Sequence, residues 1–419
     1  MTYKIIKIQS ILNQDKIFDD PTSKLKSYKE FNEILTKQYI GFPTFEFVKS
    51  FKSFGCSAKI IFYDSFLSQS IWAKENYFKF NKSNWMEEIL LGQLKSFKPD
   101  VIYFQDIFSL KENIRFQIKK IVPSIKIVLI QKGYPGETRD LSDADILIVN
   151  SPILKQRYNY LKPYLIYHSF DSTILDIVDK NEEKEDNLAF FGSLRFPELR
   201  FFFLKEISNY VELKLWTDDS VEEIGQTIKK NTLKSKLKKL IINIFFNSFV
   251  RFFLILINKY LTNKRIFHII NKIDYHNTKT KKDFILLSSK NKNSKDNFKP
   301  KHSLYGVEYY KQIKKTKICI NLNSDCSSNT ADNMKMFEIA GMGSCLLTEH
   351  ASNIQELFRP DEEIVTYKST DEALEKINYL LKNDKVLERI ALNGKKRILK
   401  EHTFFHRSKE INKIINAKI

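Results

Sequence analysis

The sequence predicts an α/β protein of two Rossmann-like domains facing each other across a cleft, with a basic helical insertion in the second. Three observations predict this. Its 419 residues exceed what one hydrophobic core usually supports. Runs of β-branched and aromatic residues alternate with helical patterns in βαβα order on both sides of the acidic stretch Glu182-Glu-Lys-Glu-Asp186. Residues 226–301 interrupt the second series with a strongly basic stretch of different composition.

In the first domain, residues 1–178, strands are expected at 4–9, 58–63, 101–105, 126–131 and 145–150, with helices such as 43–54 between them. The second domain, 186–400, has expected strands at 188–191, 212–216, 318–322, 344–348 and 364–367. Residues 401–419 read as a C-terminal helix that packs back on the first domain.

The net charge of +19 invites a nucleic-acid reading, and its distribution argues against one. Residues 226–301 hold 19 Lys or Arg against 3 Asp or Glu, which leaves 50 basic against 47 acidic residues elsewhere. A near-neutral body offers no extended phosphate-binding surface. The four cysteines, Cys56, Cys319, Cys326 and Cys345, form no CxxC pair and no disulfide framework. Together with an N-terminal segment that lacks a long apolar stretch, they predict a cytoplasmic protein without a metal site.

Within the insertion, 14 of the 18 residues 240–257 are apolar. Lys239, Asn243, Asn247, Arg251, Asn258 and Thr262 draw a narrow polar stripe along that helix. Arg251 at the centre of a spanning helix would cost about 2.5–3.5 kcal/mol, whereas a helix lying in the membrane plane keeps it wet. Lysines and arginines across 229–265 would meet anionic lipid at roughly 1 kcal/mol each. The expectation is a peripheral helix on the inner face of the membrane; the alternative is a hairpin packed on the protein or against a second copy.

Residues 331–348 read as loop, short helix, glycine break and buried strand. A helix start after Thr330 or Asp332 would present backbone N–H groups and a positive dipole end to a diphosphate. At about 1.5 Å per residue, Glu338 lies roughly 8 Å further on, a distance suited to ribose. A solvent-facing Glu on an amphipathic helix is the alternative.

The segment Asn333-Met-Lys-Met-Phe-Glu338, with Gly343 and Thr348 after it, resembles the nucleotide-binding segment of GT-B glycosyltransferases of the CgeB-like (spore maturation protein) and group 1 branch. Lys335 stands where that family usually has Arg, a point charge in place of a planar fork. The resemblance extends to 356–367 and Glu401-His-Thr-Phe-Phe-His-Arg407, to Tyr305-Gly-Val-Glu-Tyr-Tyr310, to Phe190-Phe-Gly-Ser-Leu-Arg195 with Arg200, and to 71–75. It implies GT-B architecture, a nucleoside-diphosphate sugar as co-substrate and no other cofactor. It also implies Glu338 at the ribose, Asn333 with Lys335 or Arg195 at the diphosphate, and Gly192 giving phosphate a close approach to backbone. Where many retaining relatives carry a second Glu, this chain has Thr330.

An inverting enzyme needs a base at the carboxyl ends of the first-domain strands. Asp106 is the expected base, with Tyr134 and His168 as weaker candidates. Helix capping by Asp106 and packing of His168 are the competing readings. Three function classes follow: transfer of a sugar to a cell-surface glycan or lipid-linked acceptor; an epimerase or hydrolase on the same scaffold; or a non-catalytic protein of the membrane surface.

Overall fold

The computed structural model describes residues 2–11, 27–38, 45–105, 107, 109–133, 139–178, 183–194, 198–220, 298, 300–323 and 329–419. Asp106, Tyr134, Arg195 and nearly all of the basic insertion therefore lie outside the described residues.

Two six-stranded parallel sheets organise the chain. The first contains β1 (Lys4–Gln9), β2 (Ser57–Phe62), β3 (Val101–Phe104), β4 (Ile127–Lys132), β5 (Ile146–Val149) and β6 (Tyr164–Leu165), in the order β2-β1-β3-β4-β5-β6. The second contains β7 (Asp186–Phe191), β8 (Lys214–Trp216), β9 (Pro300–Lys301), β10 (Thr316–Asn321), β11 (Cys345–Glu349) and β12 (Val365–Tyr367), in the order β12-β11-β10-β7-β8-β9. The central strands are apolar on both faces, as parallel sheets covered by helices require. Each sheet accordingly separates two apolar clusters, one per face.

Among the described residues, the helices longer than eight residues are α1 (Tyr28–Gln38), α2 (Phe45–Ser53), α3 (Phe66–Glu75), α4 (Trp85–Phe97), α5 (Glu198–Ser208), α6 (Gly306–Lys315), α7 (Met334–Met342), α8 (Thr370–Lys382), α9 (Asp384–Glu401) and α10 (Phe404–Asn416). Helix α10 belongs to the first domain's core, where Phe404, Ile411 and Ile415 join Ile5, Phe47 and Tyr103. The chain crosses between domains twice, and the two crossings pair: Phe170 N–H donates to His402 O at 2.9 Å and Phe404 N–H to Phe170 O at 2.9 Å.

Two short strands escape the sequence reading. β6 and β9 have two residues each, too few to show a period. The second corrects the expected insertion boundary at 301. Phe298 is buried in the second domain's core and Pro300–Lys301 pairs with β8, so the fold resumes before that point.

Strand order reverses direction between β1 and β3 in the first sheet and between β7 and β10 in the second. Doubly wound sheets bind ligands in the crevice at the carboxyl ends of such strands. Both crevices hold polar residues.

Candidate functional site

The second sheet's crevice is built from the ends of β7 and β10 and the start of α7. Asn333 caps α7, its side-chain oxygen accepting from Lys335 N–H at 3.0 Å, and Gly343 ends the helix with φ +81°. Asn333 Nδ2 also donates to Leu322 O at 3.4 Å, which ties the helix start to β10. Thr330 is half-buried in the loop before this helix. That loop is clamped by Asn353, which accepts from Ala331 N–H at 2.7 Å and donates to Ala331 O at 3.0 Å.

Gly192 follows β7 with φ +136°, a conformation L side chains rarely adopt. A Cβ there would lie 2.2 Å from Lys335 Nζ. The missing side chain is thus the seat of the Lys335 ammonium, which donates to Phe191 O at 2.5 Å. Arg200, which the sequence places just after the glycine turn, is buried. It donates to Ser193 O at 2.7 Å and Leu322 O at 3.1 Å, holding the glycine turn against β10. Burial and the neighbouring Arg200 charge push the Lys335 pKa down.

Glu338 does not face solvent. It is 4% exposed, and its two oxygens accept from Tyr309 at 2.9 Å and Tyr310 at 2.8 Å, both on α6. Burial raises its pKa, opposed by those two hydroxyls and by Lys335. Asn333, Lys335, Glu338 and Gly192 therefore gather in one crevice with Arg200, and Thr330 lies in the loop leading into it. Tyr309 and Tyr310 entered the sequence reading only as part of the resembling segment 305–310, with no role assigned beside Glu338.

Facing this crevice, a cavity in the first domain is lined by Lys7, Tyr103, Gln105, Gln131, Asn150 and His168, with Met334 and Arg407 closing it from the other side. His168 is pushed down to about 4 by burial and the Arg407 charge. A neutral imidazole of that pKa is a weak base near neutrality. Arg407 is fully engaged, donating to Tyr167 O at 3.0 Å and to His402 Nδ1 at 2.7 Å. His402 Nε2 in turn lies 3.0 Å from Leu357 O, which fixes the proton on Nε2. Among the described residues no three His, Cys, Asp or Glu come together as a metal ion would need.

His402 is 5% exposed, and burial together with Arg407 lowers its pKa to about 3. Unfolding lets it bind a proton at its ordinary pKa of 6.5, so its contribution is complete above that pH and is lost as pH falls toward 3. Thermal melts should accordingly lose stability between pH 6.5 and 4, on the order of a few kcal/mol. His402→Gln should flatten that slope; an equal slope in the variant would assign the loss to other groups.

Residues 269–413 match a family model described as glycosyl transferase-like. No curated protein matches the chain. Among solved structures, Anabaena Alr3699/HepE in complex with UDP-glucose is similar at 9% identity and TM-score 0.51, over 99% of this chain and 100% of that one. A glycosyltransferase from Rickettsia africae ESF-5 is similar at 11% identity and TM-score 0.53, over 100% and 98%. An alpha-glucosyltransferase in complex with UDP-glucose and DNA containing an abasic site is similar at 12% identity and TM-score 0.53, over 99% and 100%. These likenesses span both domains, and the chain has the GT-B fold.

Proposed function

We propose that the protein is a glycosyltransferase that moves a sugar from a nucleoside-diphosphate donor to a glycan or lipid-linked acceptor without a metal ion. The observation that carries this reading is the second-domain crevice. A capped helix start, the half-buried Lys335, the buried Arg200 and a buried carboxylate converge there; all but Arg200 lie inside the segment that matches the glycosyl transferase-like model. The helix start and Lys335 supply the positive charge that a departing diphosphate needs, so the reading requires no cation. Glu338 takes the ribose hydroxyls by exchanging them for the hydroxyls of Tyr309 and Tyr310. Asp106, directly after Gln105 in sequence, serves as the acceptor-side base if the enzyme inverts. On its motif, the chain falls in the CgeB-like branch.

A thermal-shift screen of the intact protein against UDP, GDP, dTDP and CMP tests the donor site. One nucleotide at 100 times its Kd should add about 2.7 kcal/mol of stability. UDP is the first to try, because two of the similar structures hold UDP-glucose. Protein that binds none of the four would end the donor reading. Labelled donor, with and without acceptor, separates transfer from hydrolysis or epimerisation.

We propose further that the reaction takes place at the cytoplasmic membrane face. The segment 229–265 supports this by its sequence. The first domain adds a second observation. Phe66, Leu67 and Met86, at 49%, 45% and 42% exposure, cluster with Trp85 at the starts of α3 and α4. In the same stretch Glu75, Glu87 and Glu88 are taken up by Tyr28 N–H, Lys111 and Asn81 N–H. Lys74, Lys79 and Lys82 have no ion-pair partner among the described residues, but backbone N–H groups leave the charges of Glu75 and Glu88 in place, so the apolar patch is flanked by mixed charge with a small positive excess. Intact protein should sediment with phosphatidylglycerol vesicles at low salt and leave them at high salt. Failure to sediment would remove the membrane from the proposal and leave the donor site untouched.

A further inference from the structure

Four carboxamides end four neighbouring strands of the first sheet. β1 and β3 run in register as Ile8 opposite Phe104, and β3 and β4 as Phe104 opposite Ile130. The next residue on each strand is Gln9, Gln105 and Gln131, so these three stand side by side on one level, with Asn150 at the end of β5 beside them. Side chains alternate along a strand, and all four belong to the face that carries Lys7, Tyr103 and Ile148.

The row is half finished. Gln131 Nε2 donates to Asn150 Oδ1 at 3.2 Å, Tyr103 donates to Gln131 Oε1, and Asn150 Nδ2 donates to Ile166 O at 2.9 Å. At the other end, Gln9 is 2% exposed and, among the described residues, neither its amide nitrogen nor its oxygen has a partner; Gln105 Oε1 has none either. Unpaired buried polar atoms cost about 1–3 kcal/mol each, and three adjacent ones lie astride β1 and β3, where the strand order reverses, the place at which doubly wound sheets generally take ligands; Gln105, Gln131 and Asn150 line the cavity, and Gln9 stands next to Gln105 just outside its lining.

The cations beside the row are already engaged. Lys7 faces the rings of Phe47, Tyr103 and Phe404 at 5.4, 6.0 and 5.7 Å, and Arg407 is held by His402 and Tyr167 O. What remains on offer is a set of paired donors and acceptors without net charge. We infer that this row is a binding site for an uncharged polyhydroxyl ring, a glycose unit of the acceptor, whose hydroxyls both donate to and accept from the carboxamides. Carboxamides match that two-way chemistry, whereas an anion would need donors alone. The inference rests on the glycosyltransferase reading and names the class of acceptor that this chain takes.

The test is saturation-transfer NMR on the full chain holding UDP, with methyl glycosides of glucose, galactose and mannose as probes and inorganic phosphate as competitor. At least one methyl glycoside should bind, resist phosphate, and bind about tenfold more weakly to Gln105→Met and to Gln9→Met. UDP affinity should not change in either variant. Gln9→Met should also melt no lower than the parent, because it removes two unpaired buried atoms at constant volume. Glycosides that fail to bind a protein that does bind UDP would overturn the inference and spare the donor reading. Displacement by phosphate, or unchanged glycoside affinity in both variants, would overturn it as well. A protein that binds glycosides but no nucleotide would support the row and sink the donor reading instead.

Discussion

Glu338→Gln is expected to raise the donor KM about 10- to 100-fold while moving the Tm by no more than about 2 °C. The two effects separate because the carboxylate has two jobs. Structurally it accepts from Tyr309 and Tyr310. A carboxamide of the same shape keeps one acceptor, and a tyrosine hydroxyl can turn to accept from its NH2, so the packing survives. For the ribose, the proposal needs two charged acceptors, and losing the charge weakens both bonds by about 1.5–3 kcal/mol in total. Glu338→Ala differs. It strands two tyrosine hydroxyls, one of them on a side chain only 1% exposed, at about 1–3 kcal/mol each, so both donor binding and Tm should fall. Glutamine with parental donor kinetics and alanine with a lowered Tm would make Glu338 a tyrosine anchor alone. Steady-state kinetics and melting curves on the two variants decide between these outcomes.

The strands and the start of α7 are legible in the sequence because their signals are local. Apolar runs of strand length mark β1, β3, β4, β7, β10 and β11, and Asn333 before an apolar helix ending at Gly343 marks both ends of α7. What surrounds Glu338 is not local. Tyr309 and Tyr310 lie 29 and 28 residues upstream on another helix, and nothing in their own neighbourhood says which face meets α7. The carboxamide row shows the same limit: Gln9, Gln105, Gln131 and Asn150 each end a strand read from sequence, yet only the register of β1, β3 and β4 makes them one feature. Lys335 is a third case. Its positive charge and its place in the motif are visible, but its seat depends on a glycine 143 residues earlier. Fold follows from short-range pattern, whereas the site follows from which strand ends the topology brings together.

That lysine and glycine support the other large effect. Gly192→Ala should weaken donor binding at least about tenfold and lower the Tm by several degrees, for two separable reasons. Alanine at φ +136° carries backbone strain of about 1–3 kcal/mol, and its Cβ would claim the position now within 2.2 Å of Lys335 Nζ. The ammonium is the far end of a flexible chain and can withdraw, but only by giving up Phe191 O and leaving a half-buried cation without its acceptor. Lys335→Met removes that second cost in advance. In the Lys335→Met background, Gly192→Ala should therefore cost only the backbone strain, and the double variant should be more stable than the two single losses predict when added. The coupling, read from four melting curves, should be about 1–3 kcal/mol. Strict additivity would mean that the two residues do not share a seat, and that Lys335 is held by its own helix alone. Donor affinity in the same four proteins separates seat from phosphate contact. If Lys335 only props the glycine turn, the double variant recovers donor binding along with stability; if its charge meets the diphosphate, stability recovers and donor binding does not.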